Sequence, residues 1–279
     1  MGTTGAGASG VRMFAFDLDG TFLAPDKSVT PRARAAVDAL LERGVEPVPT
    51  TGRAWQPVSR VLGMDELRYL VAGCGAIVRD LRTGEFLRRL TMPAPVAAQL
   101  VRSFTRPGTV AYACLDDEEG TRWGSCVSEA DYERVHSGQV YWDDHPEPFD
   151  VAAEIERRGV SAVKVGVHYA KPWRAEDFHE VARGLGLWSA SSWDSNVEVN
   201  AAGASKAGAL EMLAGRLGFG MGQVCAIGDS GNDADMLRAA RLGVAMGNAL
   251  PEARAAADEV LELTNAQDGL ADFVERRLL

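Results

Sequence analysis

Basic runs are missing from this sequence of 279 residues, whose formal charge is −10. A partner with a phosphate backbone needs clustered Lys and Arg to land on, so no nucleic-acid partner is expected. Cysteine is sparse too: Cys74, Cys114, Cys126 and Cys225 are scattered and form no C-x-x-C pair. That argues against a disulfide scaffold, and reduced, packed thiols in a cytoplasmic protein are the expectation. No stretch approaches the roughly 18 apolar residues of a spanning helix, so no membrane partner is expected. Residues 1–10 lack the basic and apolar regions of a signal peptide and read as a disordered tail. Within that tail, Gly5-Ala6-Gly7-Ala8-Ser9-Gly10 matches the dinucleotide fingerprint G-x-G-x-x-G. No strand precedes it, and the fingerprint works only between a strand and a helix.

What is present is the composition of an ordinary globular protein, 46% hydrophobic and 24% charged. The length suits one large or two unequal domains. Residues 11–16, apolar but for Arg12, read as a buried parallel strand. Thr30-Pro31 supplies an N-cap and a first-turn proline for a helix whose stripe is Ala33, Val37, Leu40 and Leu41, with Gly44 as its stop. Residues 45–50 form a second strand, so a parallel crossover unit brings Asp17 and Thr51 to one sheet edge. Residues 69–72 are a third strand.

From 82 to 193 the texture changes. Strand-like runs at 109–115, 122–127 and 162–168 alternate with helical patterns at 94–103 and 175–183. Every tryptophan except Trp55 lies in this stretch. It reads as an inserted α+β domain, 82–193, within an α/β core of 11–81 and 194–279. The core resumes with strands at 196–199, 223–227, 242–246 and 260–263 and a helix at 205–217.

The chemistry gathers at strand ends. The first strand closes on Asp17-Leu18-Asp19-Gly20-Thr21, and residues 223–227 run into Gly228-Asp229-Ser230-Gly231-Asn232-Asp233. Ligands in open α/β sheets bind outside the carboxyl ends of the strands. Asp17, Asp19, Asp229 and Asp233 cannot share that edge uncompensated. At an effective dielectric of about 20, two unit charges 4 Å apart repel by about 4 kcal/mol. A hard divalent cation resolves this, and an all-oxygen donor set without His or Cys points to Mg²⁺ rather than Zn²⁺. Lys206 falls in the first turn of a helix, where the macrodipole disfavours a cation unless an anion is held beside it.

Asp17-Leu18-Asp19-Gly20-Thr21, Thr51-Gly52-Arg53, Lys206 and Gly228-Asp229-Ser230-Gly231-Asn232-Asp233 resemble the four ordered motifs of the haloacid dehalogenase superfamily. Val197-Glu198-Val199 before Gly203-Ala204-Ser205-Lys206, and Val244-Ala245-Met246-Gly247-Asn248-Ala249, resemble its Cof-like branch of sugar-phosphate phosphatases. The resemblance implies a Rossmann-like, doubly wound parallel sheet with a large α+β (C2-type) cap. It implies Asp17 as nucleophile, giving an aspartyl-phosphate, and Asp19 as general acid and then base. The second role asks for a raised pKa, which crowding by like charges would supply. Thr51, Gly52, Lys206 and Asn232 would hold the phosphoryl group. Asp17, Asp229 and Asp19, the last through its backbone carbonyl, would bind Mg²⁺, and Asp233 would hold a metal-bound water or Lys206. Arg53 and Gly75 are candidates for substrate contact.

An Asp at position 19 favours hydrolysis of a small phosphorylated metabolite over the metal-free dehalogenase chemistry. A phosphohexomutase, and a non-catalytic phosphometabolite-binding protein on the same fold, are the alternative readings. The chain departs from the branch at Cys74-Gly75-Ala76, where Asn-Gly-Ala is usual. The insert would close over the site, with Trp123, Trp142, Trp173 and Trp193 either stacking on substrate or forming cap core. A monomer or homodimer is expected.

Overall fold

A computed structural model describes residues 10–55, 58, 62–117, 122–136, 150–192 and 195–279. The tail expected at 1–10 lies outside them, apart from Gly10. The chain divides into two compact units, Met1–Arg88 with Ser205–Leu279, and Arg89–Ala204.

The first unit is built on a five-stranded sheet in the order Glu259–Val260, Leu242–Ala245, Val224–Gly228, Met13–Phe16, Glu46–Pro49. Every neighbouring pair is parallel. Met13, Phe14, Ala15 and Phe16 are all fully buried, as a parallel strand covered on both faces requires. The α/β expectation holds. In the helix Pro31–Glu42, Thr30 Oγ1 accepts the Ala33 N–H at 3.1 Å and donates its own proton to Asp268 at 2.6 Å. Phe16 lies level with both Ile227 and Pro49, so these three strands leave the sheet at one edge. Tyr69–Ala72 meets the parallel sheet through the isolated parallel bridge between Thr50 and Val71 and makes no longer ladder with it. It forms a separate three-stranded sheet with Ile77–Asp80 and Phe86–Arg89, tied to the core by the Thr51 N–H donating to the Val71 carbonyl at 2.8 Å.

The second unit is a mixed α+β body. Its sheet runs Arg122–Cys126, Thr109–Leu115, Ala162–Tyr169, Asn196–Asn200, Trp188–Ala190, all neighbours antiparallel. Here one expectation is corrected. Its place in the sequence puts the strand at 196–199 in the returning core, yet it pairs with Ala162–Tyr169 and Trp188–Ala190. The reason is its alternation. Val197 and Val199 join Ala111, Ala113, Val165 and Val167 in one apolar cluster with residues of the helices Ala94–Phe104, Val151–Arg158 and Ala175–Gly184.

The residues between those positions are Tyr112, Gly166 and Glu198, two of them polar. Tyr112, Gly166 and Glu198 lie directly opposite one another across three strands. Glu198 accepts from Lys164 at 2.5 Å, from Tyr112 at 3.3 Å and from Ser192 at 2.9 Å. Lys164, Glu198 and Tyr112 are all buried, and a buried charge needs such partners. Trp173 donates to the Pro107 carbonyl at 2.8 Å and, half-buried, packs on Phe178 and the outside of the apolar cluster. Trp142, Trp193 and the side chain of Trp123 lie outside the described residues.

Gly166 makes room for Tyr112: a Cβ there would stand 2.3 Å from the Tyr112 ring. Gly166→Ala is therefore expected to destabilise the protein by about 1–3 kcal/mol through overpacking, read by urea unfolding. An unchanged midpoint would show that the ring shifts freely.

Candidate active site

The edge where the parallel strands end collects the motif residues. Asp17 follows Met13–Phe16 directly, and its N–H donates to the Ile227 carbonyl at 3.0 Å, holding the two carboxylate-bearing turns side by side. Thr51 is buried beyond Glu46–Pro49, where its Oγ1 accepts the Arg53 N–H at 3.1 Å. Gly52 is the bend between them.

Lys206 opens the helix Lys206–Arg216 and is completely buried. Its Nζ donates to Asp17 Oδ1 at 2.6 Å and to Asp233 Oδ1 at 2.5 Å. Anions thus stand where the helix dipole would otherwise repel this cation. Asp233, also fully buried, accepts from the Asp229 N–H at 3.0 Å and the Ser230 N–H at 2.9 Å through its other oxygen. It holds the lysine and shapes its own turn. A Cβ at Gly228 would stand 2.5 Å from its carboxyl carbon. Asp229 accepts from Thr21 at 2.7 Å. Gly20 has φ +81°, and a Cβ there would lie 2.3 Å from an Asp229 oxygen, so glycine is required on both grounds.

Asp17, Asp229 and Asp233 offer carboxylate oxygens lying within 4.8 Å of one another, the group of metal-binding type among the described residues. Three carboxylates against one ammonium leave an excess of negative charge. Burial raises Asp17 to about 7 in spite of Lys206. Burial, with Asp17 and Asp233 alongside, raises Asp229 well above the ordinary carboxylate range. Burial acts to lower the Lys206 ammonium, but Asp17 and Asp233 outweigh it and keep it charged. The donor set and the charge excess both suit a hard divalent cation.

Asp19 stands apart from that group. Its carboxylate is held by Arg53, Nε at 2.5 Å and Nη2 at 2.7 Å, and by Lys27 at 2.8 Å. Burial acts to raise it, but the guanidinium and ammonium outweigh burial and hold it below the ordinary carboxylate range. The expectation of a carboxyl raised by like charges is overturned: in this structure its immediate neighbours are cations. Arg53, a candidate for substrate contact, is the larger part of that clamp.

Asn232 is buried, with its Oδ1 on Ser230 Oγ at 3.0 Å and its Nδ2 3.9 Å from Cys74 Sγ. Cys74 occupies the left-handed region, φ 52° and ψ 36°. Asn enters that region more readily than most residues, which gives the family's usual Asn a backbone reason as well as a side-chain one. The Cys74 N–H donates to the Thr51 carbonyl at 3.1 Å, and Gly75 packs against Ser205 and Lys206, so this turn braces two motifs. Sequence reasoning missed Lys27, which lies in no motif. It also missed Asp235, whose only signal was a third carboxylate just after Asp233.

The haloacid dehalogenase-like hydrolase model matches residues 14–274. An HMP-PP phosphatase of Serratia proteamaculans is 32% identical over 250 residues, covering 86% of this chain and 85% of its own. The 5-amino-6-(5-phospho-D-ribitylamino)uracil phosphatase YcsE of Bacillus subtilis is 28% identical, covering 96% of each chain. A solved phosphatase of the haloalkanoate enzyme superfamily from Bacteroides thetaiotaomicron superposes with a TM-score of 0.78 at 26% identity, over 99% of this chain and 98% of that one. The chain belongs to the haloacid dehalogenase-like hydrolases. Within them it is a Cof-like phosphatase, a phosphoric monoester hydrolase.

Two outcomes follow from the charge excess. A carboxyl raised on folding binds its proton more tightly in the folded state, so its contribution is favourable at low pH and declines as pH rises between the unfolded and folded values. For Asp17 that window runs from 3.8 to about 7. Melting temperatures in chelator should therefore fall relative to those in Mg²⁺ as pH climbs through it; parallel profiles would contradict the crowding. Lys206→Met leaves buried carboxylates without their cation, and a loss of about 3–5 kcal/mol is expected in chelator, measured by urea unfolding at neutral pH.

Proposed function

We propose that this protein is a Mg²⁺-dependent phosphatase of a small phosphorylated metabolite, acting in the cytoplasm through an aspartyl-phosphate on Asp17. The observation that carries the reading is the completely buried Lys206 bonded to both Asp17 and Asp233, beside Asp229. Such a site is rigid, anionic and supplied with one fixed ammonium. It suits an incoming phosphoryl group only when a further cation is present.

Asp17, Asp229 and the Asp19 backbone carbonyl would hold Mg²⁺, while Asp233 keeps Lys206 in place. Bound there, the ion would offset charge on the phosphoryl oxygens and between the carboxylates. Asp17 Oδ attacks phosphorus as the bond to the leaving oxygen breaks, and that oxygen takes a proton from Asp19. Asp19 then removes a proton from water, which attacks phosphorus and returns Asp17 as a carboxylate with release of inorganic phosphate. The Arg53 and Lys27 contacts suit the second step, in which Asp19 must begin ionised. In the first step Asp19 must be protonated, so substrate arrival has to loosen one of those contacts. Lys206, Thr51, Gly52 and Asn232 would meet the non-bridging oxygens, where charge is neutralised during transfer.

The relatives named above act on HMP-PP and on a ribitylaminouracil phosphate. Phosphorylated small molecules with polar or heterocyclic leaving groups are accordingly the substrate class assigned here. We give the choice among them to the second unit as the cap, because the four ordered motifs, at 17–21, 51–53, 206 and 228–233, all fall in the first.

A phosphate-release screen across sugar phosphates, vitamin-pathway phosphates and nucleotides with Mg²⁺ tests the reading. Steady release from at least one monophosphate is expected, and none in excess chelator. Asp17→Asn should retain less than about a hundredth of the wild-type rate, since an amide cannot attack phosphorus. Substantial turnover by that variant would overturn the covalent mechanism, and turnover without release of phosphate would favour a mutase.

A further inference from the structure

The start of the Lys206–Arg216 helix is held from two sides. Its N-cap, Ser205, accepts the Gly208 N–H at 2.9 Å and turns its own hydroxyl toward Asp235. Asp235 Oδ2 accepts the Ala207 N–H at 3.2 Å, and its Oδ1 accepts the Met236 N–H at 2.8 Å. A single carboxylate on the helix Ala234–Ala239 therefore bonds the residues on both sides of Lys206. From another direction Gly75 closes in: a Cβ there would lie 2.0 Å from the Ser205 carbonyl oxygen and 2.9 Å from the Lys206 nitrogen. The backbone that carries Lys206 has no slack between these neighbours.

That matters because the two ends of Lys206 are anchored by one short stretch of chain. Asp233 takes the ammonium at 2.5 Å, and Asp235 takes the main chain around it. Without Asp235, the Ala207 N–H loses its partner and the helix start becomes more positive, which pushes a first-turn lysine outward. A lysine stem has four rotatable carbons, so its tip is set only as well as its backbone is set.

We propose that Asp235 is a positioning residue of the phosphatase reaction: by bonding Ser205 and Ala207 it sets where the Lys206 ammonium meets the transferred phosphoryl group. The proposal rests on the reading of Lys206 as a phosphoryl ligand given above.

Three variants of the full chain test it, each with two readouts: phosphate release with Mg²⁺, resolved into kcat and KM, and the affinity for inorganic phosphate by calorimetry in Mg²⁺. Asp235→Ala is expected to lower kcat about 10- to 100-fold, with KM within about threefold, and to weaken phosphate binding about 10-fold. Asp235→Asn keeps an acceptor at the same place and should recover most of that loss. Asp235→Glu keeps the charge but displaces it by one methylene, so its kcat should remain well below wild type. This last variant decides the matter if Asp235→Ala fails to fold. A folded Asp235→Ala that melts earlier yet keeps kcat within about twofold would make the residue merely structural and overturn the proposal. A fully active Asp235→Glu would overturn it as well, by showing that charge alone suffices. If the wild type releases no phosphate from any substrate, the phosphatase reading fails by itself. Phosphate affinity then judges the positioning claim, which falls if wild type and Asp235→Ala bind phosphate equally.

Discussion

One buried ammonium organises the first unit. Lys206 has no exposed surface and touches both Asp17 and Asp233. Removing a charge from water is costly unless it is paired and fully bonded, so its presence constrains everything around it. Asp17 must end a strand beside it, Asp233 must fold back in its own turn, and the helix that carries it must start at one point. The parallel register supplies the first condition, with Phe16 level with Ile227 and Pro49. The Asp233 bonds to two successive backbone amides supply the second. Stability and chemistry are coupled here, because the interactions that hold the lysine also arrange the phosphoryl site proposed for it.

Asp17 and Asp19 are two residues apart yet sit in opposite surroundings. The first turns inward to a group of carboxylates, where burial raises it. The second turns toward Arg53 and Lys27, which lower it against the effect of burial. Two carboxyls of one motif are thereby separated in proton affinity by their neighbours alone; without a bound cation the separation runs opposite to what a nucleophile and a general acid need, so a cation beside Asp17 and a substrate beside Asp19 have to reset both. Nothing in Asp-Leu-Asp-Gly-Thr itself distinguishes them.

The second unit follows the same rule on a sheet. Its apolar face packs against helices, while the intervening residues carry a lysine, a glutamate and a tyrosine that satisfy one another. Asn196–Asn200 belongs there because its two valines complete the apolar face. Read along the chain, those five residues look like the opening of the returning core. They are decided by the strands they meet, and those strands come from 162–169 and 188–190.

The α/β class, the Thr30 cap and the strand-end carboxylates were legible from sequence, because each rests on local rules; Lys206 was marked by the family resemblance and by no local rule. Apolar runs, capping residues and Gly-flanked Asp pairs act over a few residues, and their order along the chain carried the family. The partner of Asp19, the sheet that takes residues 196–200 and the clamp of Asp235 on the Lys206 helix were not legible. Each joins segments far apart in the chain: Arg53 to Asp19 across a crossover, and Asp235 to Ala207 between two helices. Residue type and spacing determined which groups could react. Tertiary packing decided which of them are charged and where they point, because pKa and direction depend on neighbours that only the folded chain brings within a few ångströms.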